Sequence, residues 1–416
     1  MRNLHARNTV RYYVLLVVLL LFLFFSNDFG LLDVQKTAIV TSVGIDRDES
    51  GFIITSQIAI PQSSKQGKST ESVQIVSRGK TVAQAFEDVN AKTGWYPKLV
   101  FCNLIVLGEK ACQQNVFDGL EYFLLDEYLT DNCQVVACDG LAKDILNTAP
   151  LVDQSSGAAI IKILSPHAAR VGTVLPSTLH EFAIGYFGDS ASGYLPLVQS
   201  APQQEEIGTE QIPSPNGGQG GQSGQGGSSG GSGASSGQGS QGKTQGDKPV
   251  FTAEETALFV KGRRVGKLTA EETFAYNAVK KELQLAPYSV SDGEHVCTLN
   301  VKQSAPKIDL KVSENGQARL QIKLAMTAGV LDYAKAQPLE KIQDVGDIPS
   351  GVFSAAEKKL SGEISSLFEK TKALNCDLFG VRDLLVKHEK RKLRPFADTL
   401  LSNTQALVTV RFKNVR

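Results

Sequence analysis

The clearest structural signal in the chain is the stretch KIDLKVSENGQARLQIKL at residues 307–324. Apolar residues alternate with charged or polar ones on both sides of Asn315-Gly316, a dipeptide typical of a tight hairpin turn. Because successive side chains of a strand point to opposite faces, this alternation leaves one face apolar and the other solvated. The stretch therefore predicts a half-buried antiparallel hairpin whose apolar face needs helices to cover it.

The sequence on both sides of this hairpin supplies such helices. The patterns TAEE at residues 269–272 and SAAE at residues 354–357 are capping boxes, which predict two helix starts. Alternation predicts a final strand at residues 406–412, and two short strands are predicted within residues 256–268. We therefore predict an α+β domain over residues 249–416, with helices packed on a mainly antiparallel sheet.

Residues 31–202 predict a first body in which strands and helices are mixed. Periodic apolar residues mark the helices, and short β-rich or apolar runs mark the strands. The predicted elements are a hairpin with strands at 36–46 and 52–60, helices from Val82 and Val116, and strands at 104–107 and 134–137. The fold class predicted for the whole chain is α+β, with two mixed bodies and mainly antiparallel sheets.

A tract rich in Gly, Ser and Gln separates the two bodies. The segment from Gly217 to Gly246 holds 14 of the 38 glycines. Such a composition buries too little apolar surface to offset the chain entropy lost on folding. We predict that residues 203–248 form a disordered linker, and its GxGxxG matches predict no nucleotide site because no strand precedes them.

The amino-terminal segment, residues 1–30, predicts a cytoplasmic stub and a membrane anchor. Residues 12–25 (YYVLLVVLLLFLFF) carry no charge, and flanking residues could extend the apolar helix enough to cross a thinned bilayer. Arg11 and two earlier arginines precede this run, whereas Asp28 is the first charge after it, so both bodies are expected on the extracytoplasmic side. A cleaved signal peptide and a buried core helix remain as alternatives.

The composition gives little indication of a catalytic, metal-binding or nucleic-acid-binding site. Lys and Arg number 43, as do Asp and Glu, which disfavours a nucleic-acid binder that relies on bulk positive charge. The six cysteines form no CxxC pair and are expected to be small buried side chains, and the five histidines have no metal-binding spacing. We therefore predict no catalytic, cofactor-binding or metal-binding residues and no small-molecule ligand on this chain.

Three short segments nevertheless resemble functional motifs. Residues 46–51 imitate the start of a calcium loop, but the twelfth position is Gln57, which falls in the next predicted strand and cannot supply the bidentate ligand. Residues 188–193 (GDSASG) surround Ser190 in the manner of a hydrolase nucleophile turn, with His167 and His180 nearby in sequence. These segments are expected to be a polar hairpin tip and a surface loop.

The third segment is the basic cluster Lys387, Lys390, Arg391, Lys392 and Arg394. Outside the cell, such a cluster could bind anionic lipid or wall polymer. The simpler interpretation is a solvated helix end.

Several strings, taken in order, resemble the Ger(x)C proteins, the C subunits of GerA-type spore germinant receptors. No string is specific alone, but their shared order extends over most of the chain. They are AIVTSVGID (38–46), FIITSQIAIP (52–61), GKTVAQA (79–85), VLGE (106–109), AKDIL (142–146), YLP (194–196), VKGRRVGKL (260–268) with Glu272-Thr273, and DLFG (377–380).

The resemblance implies a non-enzymatic subunit on the outer face of the spore inner membrane, assembled with an A subunit and a permease-like B subunit. This chain departs from the family in two ways. Family members are typically lipoproteins, yet no cysteine precedes Cys102, and the long linker is unusual. Two alternatives are a membrane-anchored extracytoplasmic hydrolase using Ser190, and a wall- or lipid-binding adaptor using the basic cluster.

Overall fold

A computed structural model shows two sheet-containing bodies, so the predicted α+β class is confirmed. Within the described residues, one sheet has nine strands and the other has five. The structure describes residues 12–21, 37–59, 72–150, 153, 155–201, 249–280, 283–291, 295–303, 306–335, 350–396 and 398–414.

The first sheet runs in the order β3-β2-β1-β5-β6-β7-β8-β9, and β4 pairs with β1. Its strands are β1 (Thr37–Asp48), β2 (Gly51–Ala59), β3 (Ser72–Gly79), β4 (Tyr96–Lys98), β5 (Leu104–Leu107), β6 (Gln134–Cys138), β7 (Ser192–Ala201), β8 (Val250–Val260) and β9 (Arg263–Leu268). The predicted hairpin is confirmed by the antiparallel pairing of β1 with β2.

The centre of this sheet is parallel, which the prediction of a mainly antiparallel sheet did not include, whereas the strands on both outer sides pair antiparallel. Strands β1, β5, β6 and β7 run side by side in the same direction. Helices that connect one strand to the next allow this arrangement, and they bury both faces of the central strands. All four residues of β5 are buried accordingly.

The hairpin of β8 and β9 also belongs to the first sheet, although the sequence analysis assigned these strands to the second body. β7 pairs with β8 from Ser192 opposite Val260 to Ala201 opposite Val250. Alternation identifies a strand but carries no information about which sheet it joins. The sheet thus continues beyond the predicted linker, residues 203–248, which lies outside the described part of the chain.

Helices of the first body cover this sheet. The buried face predicted for the first helix, which includes Val82, Phe86 and Val89, is confirmed. The helices are α1 (Val82–Thr93), α2 (Glu109–Cys112), α3 (Phe117–Leu124), α4 (Ala142–Asn147), α5 (Ser156–Ile163), α6 (Pro166–Ala169) and α7 (Leu179–Phe187).

The second sheet contains the hairpin at residues 307–324, with Leu310 opposite Leu320 as its alternation predicts. The sheet order is β10-β11-β13-β12, and β14 runs parallel to β13. Its elements are β10 (Ala286–Ser291), β11 (His295–Gln303), β12 (Lys307–Val312), β13 (Ala318–Lys335) and β14 (Thr404–Asn414), with helices α8 (Ala270–Lys280), α9 (Ser350–Ala373) and α10 (Val381–Phe396).

One capping box is confirmed and the other is wrong. Thr269 and Glu272 exchange hydrogen bonds between side chain and backbone, at 2.9 and 3.3 Å, just before α8. Ser354 instead lies inside α9, which is helical from Ser350 onward. Glu357 accepts a hydrogen bond of 2.9 Å from the backbone N–H of Phe412, so it joins the helix to β14.

The predicted anchor lies partly outside the described residues. Residues 12–21 are helical with exposed side chains, whereas residues 1–11 and 22–36 are not described. Within the described ranges, the structure has no helix with the length and apolar character needed for a membrane span. All six cysteines are buried free thiols, as the sequence analysis expected.

Candidate functional site

A cleft of about 580 Å³ lies between the two bodies. The first body contributes α7 and the start of β7, and the second contributes α8 and the turn before α10. Aromatic side chains, including Phe182, Tyr194, Tyr276 and Phe379, line part of the cleft. Ser190, Asp377 and Asp383 also line it, so the polar groups most suited to chemistry come from both bodies.

Ser190 joins the two bodies through its hydroxyl group. The side chain is 3% exposed, and its Oγ donates to Oδ2 of Asp377 at 3.0 Å and also to Oδ2 of Asp383. The backbone N–H of Ser190 donates to Oδ1 of Asp383 at 3.2 Å. Ser192 adds a second link, because its Oγ accepts a 3.0 Å hydrogen bond from the backbone N–H of Asp377. We call these four contacts the serine–aspartate link.

Asp377 also caps the start of α10. Its two carboxylate oxygens accept hydrogen bonds of 2.7 Å from the N–H of Val381 and 2.8 Å from the N–H of Arg382. A carboxylate is favourable here because unpaired N–H groups and the helix dipole make a helix start positive. Burial raises the pKa of the Asp377 carboxyl above its usual range, and the two backbone donors oppose that shift.

The Ser190 loop therefore differs from a hydrolase nucleophile turn. A nucleophilic serine needs a base that accepts its proton, and a third group must orient that base. His167 and His180 are both exposed, and neither bonds to Ser190 among the hydrogen bonds of the described residues. The hydroxyl instead lies within hydrogen-bond distance of two carboxylates. The prediction of a surface loop is therefore wrong at Ser190, which is buried in a contact between the bodies.

A second buried carboxylate, Asp46, organises the first body. It is 2% exposed, and it accepts hydrogen bonds of 2.8 Å from the N–H of Ala142 and 3.0 Å from the N–H of Lys143 at the start of α4. Burial raises the pKa of Asp46, and these backbone donors oppose the rise. A Cβ atom on Gly108 would lie 2.0 Å from Oδ1 of Asp46, so only glycine fits beside it.

The calcium-like segment forms a hairpin tip, as expected. Oδ1 of Asp48 accepts hydrogen bonds from the N–H of Ser50 at 2.8 Å and from the N–H of Gly51 at 3.1 Å, so it stabilises the turn. Gln57 is buried in β2 and bonds to Ser156 of α5 at 3.3 Å, as its predicted strand position implies. Within the described ranges, no group of three or more His, Cys, Asp or Glu side chains could hold a metal.

The predicted basic cluster lies on α10. Lys387 is exposed there, whereas the side chains of Lys390, Arg391, Lys392 and Arg394 lie outside the described residues. A different basic surface appears on the uncovered face of the second sheet. We call it the basic sheet face, and its exposed members are Lys307, Lys311, Arg319, Lys323, Arg411 and Lys413.

Sequence reasoning missed the two aspartates of the cleft. Ser190 lies 187 residues from Asp377 and 193 from Asp383, so no local spacing indicates their contact. A local signal existed only for the cap, because Asp377 and the left-handed Gly380, with φ of 65°, directly precede a helix.

Comparison with known proteins identifies the family. A family model for the spore germination protein N-terminal domain matches residues 32–200, and a model described as spore germination B3/GerAC like, C-terminal, matches residues 254–413. Spore germination protein B3 of Bacillus subtilis strain 168 is 25% identical over 308 residues, which cover 72% of this chain and 69% of that protein.

Among solved structures, the crystal structure of the GerBC protein is similar to this chain, with 17% sequence identity and a TM-score of 0.46. The match covers 90% of this chain and 97% of the GerBC chain. The two family models together match most of the chain, in the order that the resembling strings predict. The protein therefore belongs to the Ger(x)C family of spore germination proteins.

Proposed function

We propose that this protein is a non-enzymatic, membrane-anchored subunit of a spore nutrient germinant receptor, assembled with A-type and B-type subunits. Its family gives it a role in spore germination. The two bodies would lie on the outer face of the spore inner membrane, held there by the apolar segment at residues 12–25. The family, the charge asymmetry around that segment and its exposed helical part support this placement.

The serine–aspartate link is the observation that carries a scaffolding role. The cleft is the natural place for chemistry, because it is concave and lies between two bodies. Its most suitable polar groups, Ser190, Asp377 and Asp383, hydrogen-bond to one another and to the start of α10. Groups used in this way fix the orientation of the bodies, as assembly of a receptor requires.

Purification from spore membranes tests the proposal. A tagged full-length chain should recover the A-type and B-type subunits, and deletion of the gene should abolish germination triggered by nutrients. A matched strain with Lys110→Ala, an exposed change in α2 that is far in sequence from the residues of the cleft, should behave as the parent does. Recovery of the chain without either partner, together with normal germination of the deletion strain, would refute the proposal.

The hydrolase alternative makes a separate prediction about Ser190. A structural hydroxyl can be replaced by the hydroxyl of threonine, whereas a nucleophile loses most of its activity when a methyl group crowds it. Ser190→Thr should therefore support germination better than Ser190→Ala if the residue joins the bodies. Equal loss in both variants, accompanied by loss of a wall-hydrolysing activity, would favour the hydrolase.

The basic sheet face favours the adaptor alternative as a second candidate function. Lys307 lies opposite Lys323 and Lys311 opposite Arg319, which brings like charges together. An anionic lipid or wall polymer would relieve this repulsion. The double variant Lys311→Glu/Lys323→Glu should weaken the retention of the protein on anionic wall polymer. Unchanged retention would exclude the basic sheet face as the binding surface for that polymer.

A further inference from the structure

An exposed aromatic surface lies where the chain enters the first sheet. We call it the aromatic patch, and its members are 38% to 57% exposed. Contiguous exposed apolar side chains of this kind mark interaction sites, since single exposed residues are the usual case. The aromatic patch consists of Trp95, Tyr96, Val100, Phe101 and Tyr128.

The backbone holds this patch in a fixed position. β4 runs parallel to the start of β1, with Thr37 directly beside Tyr96. The turn after β4 is closed by a 2.8 Å hydrogen bond from the N–H of Cys102 to the carbonyl of Leu99, and both of these residues are buried. Val100 and Phe101, which lie between them, are therefore presented to solvent by a hydrogen-bonded turn.

A cation–π contact connects the last member of the patch. Nζ of Lys98 lies 5.0 Å from the centre of the Tyr128 ring. This contact brings the loop after α3 beside β4, so the patch combines two separate segments. Trp, Tyr and Lys are the side chains enriched where proteins meet the headgroups of a bilayer, because each has an apolar body and a polar end.

We propose that the aromatic patch docks into the headgroup region of the membrane that anchors the chain. The inference rests on the proposed anchor. The apolar run ends at Phe25, and the following eleven residues reach Thr37. They span at most about 40 Å, so the start of β1 lies within about 40 Å of the end of the apolar run, and the first body can reach the bilayer surface. Because Thr37 is paired with Tyr96, the patch lies at the same end of the first body.

Apolar burial, and not charge, drives this docking. Lys98 lies on β4, and Lys92 at the end of α1 is paired with Asp88 at 2.6 Å, whereas Asp126 and Glu127 precede Tyr128. The opposite charges nearly cancel, so attraction to anionic lipid contributes little. Docking should therefore persist at high ionic strength, where electrostatic binding to a membrane surface is screened.

The chain contains a single tryptophan, Trp95, which makes the proposal directly measurable. The full-length protein is reconstituted into phosphatidylethanolamine/phosphatidylglycerol vesicles that contain lipids brominated on the acyl chains. Docking should shift Trp95 emission to shorter wavelength, allow the brominated lipids to quench it and shield it from aqueous iodide. High salt should leave all three signals unchanged.

Two matched variants test the other patch members. Val100→Ser/Phe101→Ser should lower the ratio of docked to undocked protein at least about tenfold, since it removes two apolar side chains from the contact. Leu331→Ser/Leu407→Ser replaces two exposed apolar residues of the second sheet and should leave the ratio unchanged. Equal effects of the two double variants would overturn the proposal.

Flotation of the vesicles separates failure of the patch from failure of the anchor. If the chain floats with the vesicles after an alkaline wash but Trp95 remains open to iodide, the docking proposal is overturned and the anchor stands. If the chain does not float, both are overturned. Shielding of Trp95 that requires added receptor subunits, and is absent with lipid alone, overturns lipid docking in favour of a protein partner.

Discussion

Replacing Ser190 with alanine is expected to weaken the contact between the two bodies, more strongly at neutral pH than at acidic pH. The hydroxyl has one proton but two carboxylate partners, Asp377 and Asp383. Ser190 can form both hydrogen bonds at once only when one of the two carboxyls is protonated and donates to the hydroxyl oxygen. Burial raises the pKa of Asp377, which favours that protonated form in the folded protein.

The size of the effect follows from the groups left behind. The Ser190→Ala variant leaves the buried carboxylate of Asp377 without this donor, whereas Asp383 is exposed and can bond to water. A hydrogen bond to a charged group contributes about 1.5–3 kcal/mol. We therefore expect the variant to lose about 2–3 kcal/mol of unfolding free energy near neutral pH. The loss should be about 1 kcal/mol where Asp377 is protonated in the folded state, because a neutral acid depends less on the missing donor.

The sign of the pH dependence follows from the raised pKa of Asp377. The folded state binds a proton more tightly than the unfolded state, so this stabilising contribution is complete below the unfolded pKa. It is lost as the pH rises through the folded pKa. Without Ser190, the ionised carboxyl loses a donor and its pKa rises further, so the variant loses stability over a wider range of pH than the parent.

Urea unfolding followed by circular dichroism, at about pH 4.5 and about pH 8, measures this difference. Ser402→Ala is the matched control, because Ser402 is exposed and donates to the carbonyl of Thr399 at 2.8 Å. The control should change the unfolding free energy by less than about 0.5 kcal/mol. A Ser190→Ala loss that is the same at both pH values, or no larger than that of the control, would refute the reasoning.

The remaining predictions concern stability elsewhere in the fold. Gly108→Ala should lower the unfolding free energy by about 2–4 kcal/mol, because the added Cβ would lie 2.0 Å from Oδ1 of Asp46. Gly362→Ala is the control: its Cβ would meet no atom within 4 Å, and it should raise the unfolding free energy by about 0.5–1 kcal/mol. Equal urea midpoints for the two variants would contradict this prediction. Lys323→Glu should raise the unfolding free energy by about 0.5–1 kcal/mol because Lys323 lies opposite Lys307, and a gain that persists in high salt would contradict the electrostatic cause.

Local features of the fold were predictable from the sequence because their causes are local. Alternation with period two and the Asn315-Gly316 turn determine the register that places Leu310 opposite Leu320. The helix α8 begins where Thr269 and Glu272 satisfy its first N–H groups. SAAE at 354–357 has the same pattern but lies inside a helix that begins at Ser350, so the pattern alone does not determine where a helix begins.

The sheet partner of a strand was not predictable in this way. The hairpin of β8 and β9 alternates like any half-buried strand pair, and its pairing with β7 depends on packing across the predicted linker. The same limit applies to the cleft. The glycines around Ser190 indicate a nucleophile turn, but the contacts of Ser190 are made with Asp377 and Asp383, which are distant in sequence.

The strings that resemble the family meet one another in the fold. Asp46 ends the first string, Gly108 lies in VLGE and Ala142 opens AKDIL, and these three residues form one buried contact. Gly262, from VKGRRVGKL, accepts a 2.9 Å hydrogen bond from the N–H of Val116 and so connects the β8–β9 turn to α3.

The DLFG string behaves in the same way, because its Asp377 contacts Ser190 of the other body. In an enzyme family, the residues that define the pattern are expected to converge on a substrate pocket with a nucleophile, a base and groups that stabilise charge. Here they converge on helix starts, tight turns and the contact between bodies, and the strings YLP and DLFG also contribute residues to the lining of the cleft. The pattern therefore specifies the shape of the chain and the contact that joins its two bodies.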